Sequence, residues 1–240
     1  MKRALVTGGS GAIGAAICCN LAAAGHHVFV HAHRNREPAA ALVAAIIAAG
    51  GRGEVVCFDV ADADAVVASL SPVLAAGPIQ ILVNNAGYAD DAPLVGMARA
   101  QWHGVIDVVL HGFFNVTQPL LMPMIRSRWG RIINIASVAA LVGNRGQTNY
   151  AAAKAGVIAA AKSLAKEVAR KGITVNTVAP GIIDTPMARH AFDDARVREL
   201  VPMQRMGTPE EVAAVVGFLA SDAASYVSGE VISVAGAMVS

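Results

Sequence analysis

Tyr150-Ala-Ala-Ala-Lys154 sets a phenol and an amine four residues apart, so on a helix both leave from one face. Ser137 stands thirteen residues upstream, at the end of an apolar run that reads as a strand. These three types suit delivery of a proton to an oxygen on which negative charge is developing. A phenol with an ordinary pKa of about 10 still holds its proton at neutral pH. A nearby ammonium stabilises phenolate and lowers that pKa towards the range where proton transfer is efficient. A serine hydroxyl adds a hydrogen bond to the same oxygen as its charge grows. Taken alone, a Tyr–Lys pair at this spacing is commonly structural, so the case rests on its surroundings.

The first of these surroundings is Thr7-Gly8-Gly9-Ser10-Gly11-Ala12-Ile13-Gly14, which follows the first apolar run and opens a helical stretch. Glycines let such a turn approach a pyrophosphate, and a helix N-terminus offers free N–H groups and partial positive charge. Gly8, Ser10, Gly11 and Ile13 are the candidate contacts. At the end of the second run, His31-Ala32-His33-Arg34-Asn35 holds no acid before Glu37. An acid there would grip both ribose hydroxyls of NAD, whereas Arg34 pairs with a 2′-phosphate. If the glycine turn binds a dinucleotide, this composition favours NADP(H) and would set His33, Arg34 and Asn35 beside the phosphate; a solvated polar loop is the open alternative.

The elements that must position these groups alternate. Strands are expected at Ala4–Thr7, Val28–His31, Val55–Asp59, Ile79–Val83, Arg131–Ala136, Thr174–Ala179 and Val231–Val234. Helices are expected at Ile13–Ala24, Pro38–Ala49, Ala63–Leu74, Gln101–Arg126, Tyr150–Lys171 and Pro209–Ala220. The strands read as apolar runs without clean alternation, as parallel strands covered on both faces do. Gly25, Gly50 and Gly172 fit helix C′ positions, and Thr208-Pro209-Glu210-Glu211 fits a helix start. The expectation is a single α/β domain over residues 1–240, a Rossmann-type doubly wound parallel seven-stranded sheet with helices on both faces. Its ligands would bind outside the carboxyl ends of the strands.

With the turn, the Asn84-Asn85-Ala86-Gly87 segment and the Ser137, Tyr150, Lys154 spacing, the chain resembles the short-chain dehydrogenase/reductase family along its whole length. The resemblance implies that Ser137, Tyr150 and Lys154 are catalytic, with Lys154 also holding the nicotinamide ribose. It places Asp59 and Val60 at the adenine, and Asn84, Ala86 and Gly87 beside the cofactor. Pro180, Gly181, Ile183 and Thr185 would lie by the carboxamide, with residues 186–206 forming a substrate lid. Three departures stand out. Ala12 replaces the turn's middle glycine, and Val109 occupies the place of an Asn that supports a proton-relaying water. The tail reads Ala235-Gly236-Ala237-Met238 where relatives carry Asn-Gly-Gly-Met.

Within the family, Asn144–Tyr150 and Gly172–Pro180 resemble 3-oxoacyl-[acyl-carrier-protein] reductases. Asp90–Pro93 and Leu110–Gln118 resemble the branch associated with aryl polyene clusters. The resemblance implies reduction of a 3-oxoacyl thioester by NADPH, and docking of an acyl carrier protein at Arg128 and Lys171, with Arg126 and Arg131 nearby. It also implies a homotetramer built on the two long helices, with Ile106, Leu110, Phe113 and Leu121 on an apolar face. Two alternatives stay open: oxidation of a small secondary alcohol or sugar, and a catalytically weak subunit in a heteromer.

Composition narrows the classes further. With 19 Lys+Arg against 17 Asp+Glu, the net charge of +2 gives no polyanion-binding character, so nucleic acid is not an expected partner. Three cysteines, two adjacent, supply neither a disulfide framework nor a metal spacing, so no metal is expected. The run after Met1-Lys2-Arg3 is too short for a secretory signal, and Ala39–Ala49 is too short for a membrane span. A cytoplasmic protein away from membranes is expected.

Overall fold

The structure is a computed structural model that describes residues 1–239. Seven parallel strands form one sheet: β1 (Arg3–Val6), β2 (His27–Ala32), β3 (Arg52–Cys57), β4 (Ile81–Asn84), β5 (Gly130–Ile135), β6 (Ile173–Pro180) and β7 (Val231–Val234). Their order is β3-β2-β1-β4-β5-β6-β7. The chain winds outward from β1 to β3, then returns to the other side of β1 as β4. That reversal opens a crevice at the carboxyl ends of β1 and β4, where ligands bind in open α/β sheets.

Successive residues of each strand face opposite layers. Ala4 and Val6 of β1 join Ile17, Cys18 and Leu21 of α1 (Ala12–Ala23) and Val212, Val216 and Leu219 of α10 (Pro209–Ala220). Leu5, between them, faces the other layer. There it meets Val66 and Leu70 of α3 (Ala63–Ala75), Leu120 and Met124 of α5 (Gly112–Ser127), and Leu164 of α7 (Thr148–Val168). Helix α2 (Glu37–Ala48) covers β2 and β3. Both faces are covered, which is why the strands lack alternation.

The structure moves several expected boundaries. Strand β3 runs Arg52–Cys57 and stops before Asp59 and Val60, which lie in the following loop. It is an edge strand, so Arg52 and Glu54 stand exposed where apolar side chains would flag a strand; they join β2 through the backbone ladder, and Glu54 also reaches His27 of β2 at 3.0 Å. The long helix before β5 is continuous but not uniform. It comprises α4 (Arg99–Ile106), a π-helical turn Asp107–His111, and α5. The expected lid, 186–206, is more regular than its sequence suggested, holding α8 (Pro186–Ala191) and α9 (Asp194–Leu200). Thr185 and Asp193 start these helices by accepting from the Ala188 and Arg196 amides at 3.2 and 2.8 Å. At α10, Thr208 and Glu211 each accept from the other's amide, closing the capping box. Gly25, Gly50 and Gly172 take φ of 83°, 83° and 73° at their helix ends.

Candidate active site

The glycine turn sits at the carboxyl end of β1, held from three sides. The Thr7 hydroxyl accepts from the amides of Asn85 and Ala86 at 2.9 and 3.0 Å. The Asn85 side-chain amide donates to the Thr7 and Gly8 carbonyls at 2.9 and 3.1 Å. Gly8 adopts φ 60°, and any side chain at Gly14 would collide with the Gly8 carbonyl. Among the described residues, the amides of Ser10, Ala12 and Ile13 have no hydrogen-bond partner in the chain. They stand at the N-terminus of α1 as an anion would require. Ala12 is exposed, so its extra methyl crowds nothing in the protein.

At the end of β2, His33 Nε2 lies 3.2 Å from Asp59 Oδ2, and Arg34 is exposed beside them. The Asn35 carboxamide oxygen is committed to the Glu37 amide at 3.0 Å, which starts α2. Asp59 accepts from the Ala61 amide, and the Val60 side chain is buried against Gly112. Val60 therefore offers a ligand its backbone only. Asn84 is similarly occupied, donating to Thr117 Oγ1 at 3.0 Å and Asn134 Oδ1 at 2.9 Å.

Ser137 lies just beyond β5 and accepts from the Ala139 amide at 3.1 Å, starting the short α6 (Ala139–Val142). Tyr150 and Lys154 project from the first turns of α7. The start of α7 is fixed by Asn149, fully buried, a residue the sequence reading passed over. Its side chain donates to the Asp90 and Gln101 carbonyls at 3.0 and 3.1 Å and accepts from the Tyr150 amide. A buried asparagine beside a tyrosine has no distinctive sequence pattern, so its only signal was its place at a helix start.

Lys154 is 4% exposed; its Nζ donates to the Ile135 carbonyl at 2.6 Å and lies 5.7 Å from the Tyr150 ring centre. Burial lowers the lysine to about 8. Burial raises the Tyr150 phenol; the Ser137 hydroxyl opposes that rise and the Asp91 carboxylate adds to it. The expected lowering of Tyr150 by Lys154 is not found: desolvation dominates, and the one opposing influence is the Ser137 hydroxyl. The phenol is held protonated, as a donor.

Val109, expected in the place of the family's Asn, lies near Lys154. It lies in the π-helical turn, and a methyl on Gly87 would meet both Val109 Cγ2 and Lys154 Nζ at 3.3 Å. Val109, Val108, Asn84, Ile135 and Lys154 help line a partly open space of about 10 Å³, at the lower limit for one water. Asn115 points away, donating to the Val60 carbonyl at 2.9 Å.

On the far side of the crevice, the Pro180 carbonyl accepts from the Val138 amide, tying the Ser137 loop to the end of β6. Gly181 is pressed against Ala235 and Met238 of the tail, with no room for a side chain. Ile183 is buried in the core and the Thr185 hydroxyl caps α8. The structure thus brings together the turn, Ser137, Tyr150, Lys154 and the Pro180–Gly181 stretch. These residues fit a dinucleotide: free amides at a helix N-terminus, no acid at the end of β2, and a buried ammonium with donors to spare. Among the described residues no group of three His, Cys, Asp or Glu is gathered to hold a metal.

The basic residues lie elsewhere. Lys171 follows the C-terminus of α7, a helix of 21 residues whose start carries Tyr150. At 1.5 Å per residue the two are roughly 30 Å apart. Arg128 adjoins Gly172 at that same remote end and caps α5 with a left-handed φ of 50°. The patch therefore stands a helix length from this chain's own Tyr150. Arg131 drops out of it altogether, being 3% exposed and paired with Asp222 at 3.3 Å.

Compared with known families, residues 8–238 match the model described as Enoyl-(Acyl carrier protein) reductase. Among curated proteins the chain is similar to Nodulation protein G of Azospirillum brasilense, 45% identical over 240 residues, 99% of this chain and 98% of that protein. It is also 45% identical to 3-oxoacyl-[acyl-carrier-protein] reductase of Synechocystis sp., covering 98% of this chain and 96% of that one. The corresponding FabG of Staphylococcus aureus is 44% identical, with 99% and 98% covered.

Proposed function

Because the chain belongs to the short-chain dehydrogenase/reductase family, we propose that it reduces a 3-oxoacyl thioester, borne on an acyl carrier protein, to the 3-hydroxyacyl form with NADPH. The observation that carries this reading is the convergence of Ser137, Tyr150 and Lys154 at the crevice beside a turn with free amides. NADPH, when bound, supplies the hydride. The amides of Ser10, Ala12 and Ile13 hold its pyrophosphate, and Arg34 pairs with the 2′-phosphate. Ser137 donates a hydrogen bond to the ketone oxygen as charge develops there. Tyr150 gives that oxygen its proton, and the Lys154 ammonium stabilises the phenolate left behind. The family model's description names enoyl reduction. A phenol and a hydroxyl aimed together suit a ketone, whose own oxygen takes the proton.

Tyr150→Phe is the decisive variant. It is expected to bind NADPH, by fluorescence titration, within about threefold of the unaltered protein, yet to lose at least about 10²-fold in turnover of an acetoacetyl thioester. Retained turnover would remove Tyr150 from this role.

The finer reading has separate supports. An aryl polyene chain as substrate rests on the wording of Asp90–Pro93 and Leu110–Gln118. Docking of the acidic carrier at Arg128 and Lys171 rests on charge, and their distance from Tyr150 means that a carrier seated there serves the site of a neighbouring subunit. A cytoplasmic homotetramer is the assembly that would allow this. The stretch Arg99–Ser127 is long and apolar enough to cross a membrane, with mean hydropathy 1.3 and only a third of it buried within the chain. We assign that uncovered surface to a second copy.

A further inference from the structure

One buried side chain remains without a role in this mechanism. His31, in β2, is 2% exposed, and its ring lies between the glycine turn and the loop after β3. Its Nδ1 accepts from the Gly8 amide at 3.0 Å, and its Nε2 faces the Phe58 carbonyl at 2.9 Å. The two bonds coexist in one form of the ring: neutral, with the proton on Nε2. Burial, the larger influence, lowers the imidazole to about 4 against the opposing Phe58 bond, so this form is held at neutral pH. The ring also packs on Phe58, centres 4.2 Å apart. The backbone carbonyl of His31 accepts from the Gly9 amide at 2.9 Å. One residue thus takes up the amides of Gly8 and Gly9, and the next free amides belong to Ser10, Ala12 and Ile13.

We infer that His31 is a positioning residue for the cofactor: it aims the glycine turn and couples it to the Phe58–Val60 loop. The first of these walls holds the pyrophosphate, and the second lies at the adenine. The imidazole sorts the turn's donors, drawing the Gly8 amide into the sheet so that later amides face the ligand. A second donor at this place would confront the Gly8 N–H and tilt the turn. The inference rests on NADPH binding at this turn, as proposed above.

The test compares His31→Leu, which removes both ring bonds, with His31→Asn, whose carboxamide oxygen replaces Nδ1 as the acceptor for Gly8. His31→Leu is expected to raise the KM for NADPH about tenfold or more, with kcat at saturating NADPH and the KM for the thioester within about twofold. His31→Asn is expected to restore the NADPH KM to within about threefold. A folded His31→Leu with an unaltered NADPH KM, or one whose loss falls on kcat, overturns the proposal. Should His31→Leu fail to fold, ¹⁵N-histidine NMR of the unaltered protein decides. A neutral ring protonated on Nε2 from pH 5 to 8 supports the tie, and a ring titrating near pH 6.5 overturns it. That spectrum needs no cofactor, so failure of the unaltered protein to bind NADPH would defeat the functional reading and leave the tie independently measured.

Discussion

At the scale of single residues, the chemistry depends on two groups that burial pushes in opposite directions. Desolvation disfavours whichever form is charged, so it lowers Lys154 to about 8 and raises Tyr150. The consequence for pH has a definite sign. Lys154 carries its charge below about 8 and loses it above, while Tyr150 keeps its proton throughout that range. The kcat/KM for NADPH, which reflects the free protein, should therefore fall as pH rises through about 8. A plateau extending to pH 10 would show that Lys154 keeps its ordinary affinity for the proton. The sequence placed these two side chains on one helical face; it could not weigh their solvation, which depends on what Ile135, Gly87 and Val109 do around them.

At the scale of elements, the π-helical turn and the tail each carry a departure from the family pattern. Val109 lies in the π-helical turn Asp107–His111, and it and Lys154 both adjoin Gly87. An isopropyl group there offers the adjoining water-sized space no hydrogen bond. Val109→Asn should raise kcat for ketone reduction severalfold while leaving the NADPH KM unchanged, as read by steady-state assays. A slower variant would mean that the valine is a packing requirement. The tail contains the other departure, Ala237, which adopts a left-handed φ of 67° beside Gly236. A side-chain methyl costs about 1 kcal/mol or more in that region. Ala237→Gly is expected to stabilise the protein by about 1 kcal/mol, raising Tm by about 2–4 °C in calorimetry.

At the scale of the whole molecule, the apolar surface of α4 and α5 is divided between two uses. Ile106, Leu110, Phe113 and Leu121, expected to face another subunit, are in part taken up by this chain's own core. Leu110 packs on Gly156. Phe114 and Met122 are the residues left outside, 63% and 54% exposed. If a second copy covers this face, Phe114→Arg with Met122→Glu should reduce the assembly to smaller species in light scattering. An unchanged mass would place the contact elsewhere. The Arg128 and Lys171 patch belongs to this scale too, since on the reading proposed above it serves the site of a neighbouring subunit.

The amino-acid sequence by itself determined the order of strands and helices, the glycine turn, the Tyr150–Lys154 face and the absence of an acid after β2. Each of these is written within a few consecutive residues, where backbone preference and side-chain period act directly. Only the tertiary structure decided that Asp59 lies beyond β3, that Arg131 is buried against Asp222, and that Lys171 stands a helix length from Tyr150. It alone revealed Asn149 and His31 as bridges. Such facts arise from contacts between residues far apart in the chain. Burial and hydrogen-bond partners are properties of the neighbours that folding supplies, and local sequence carries no record of them.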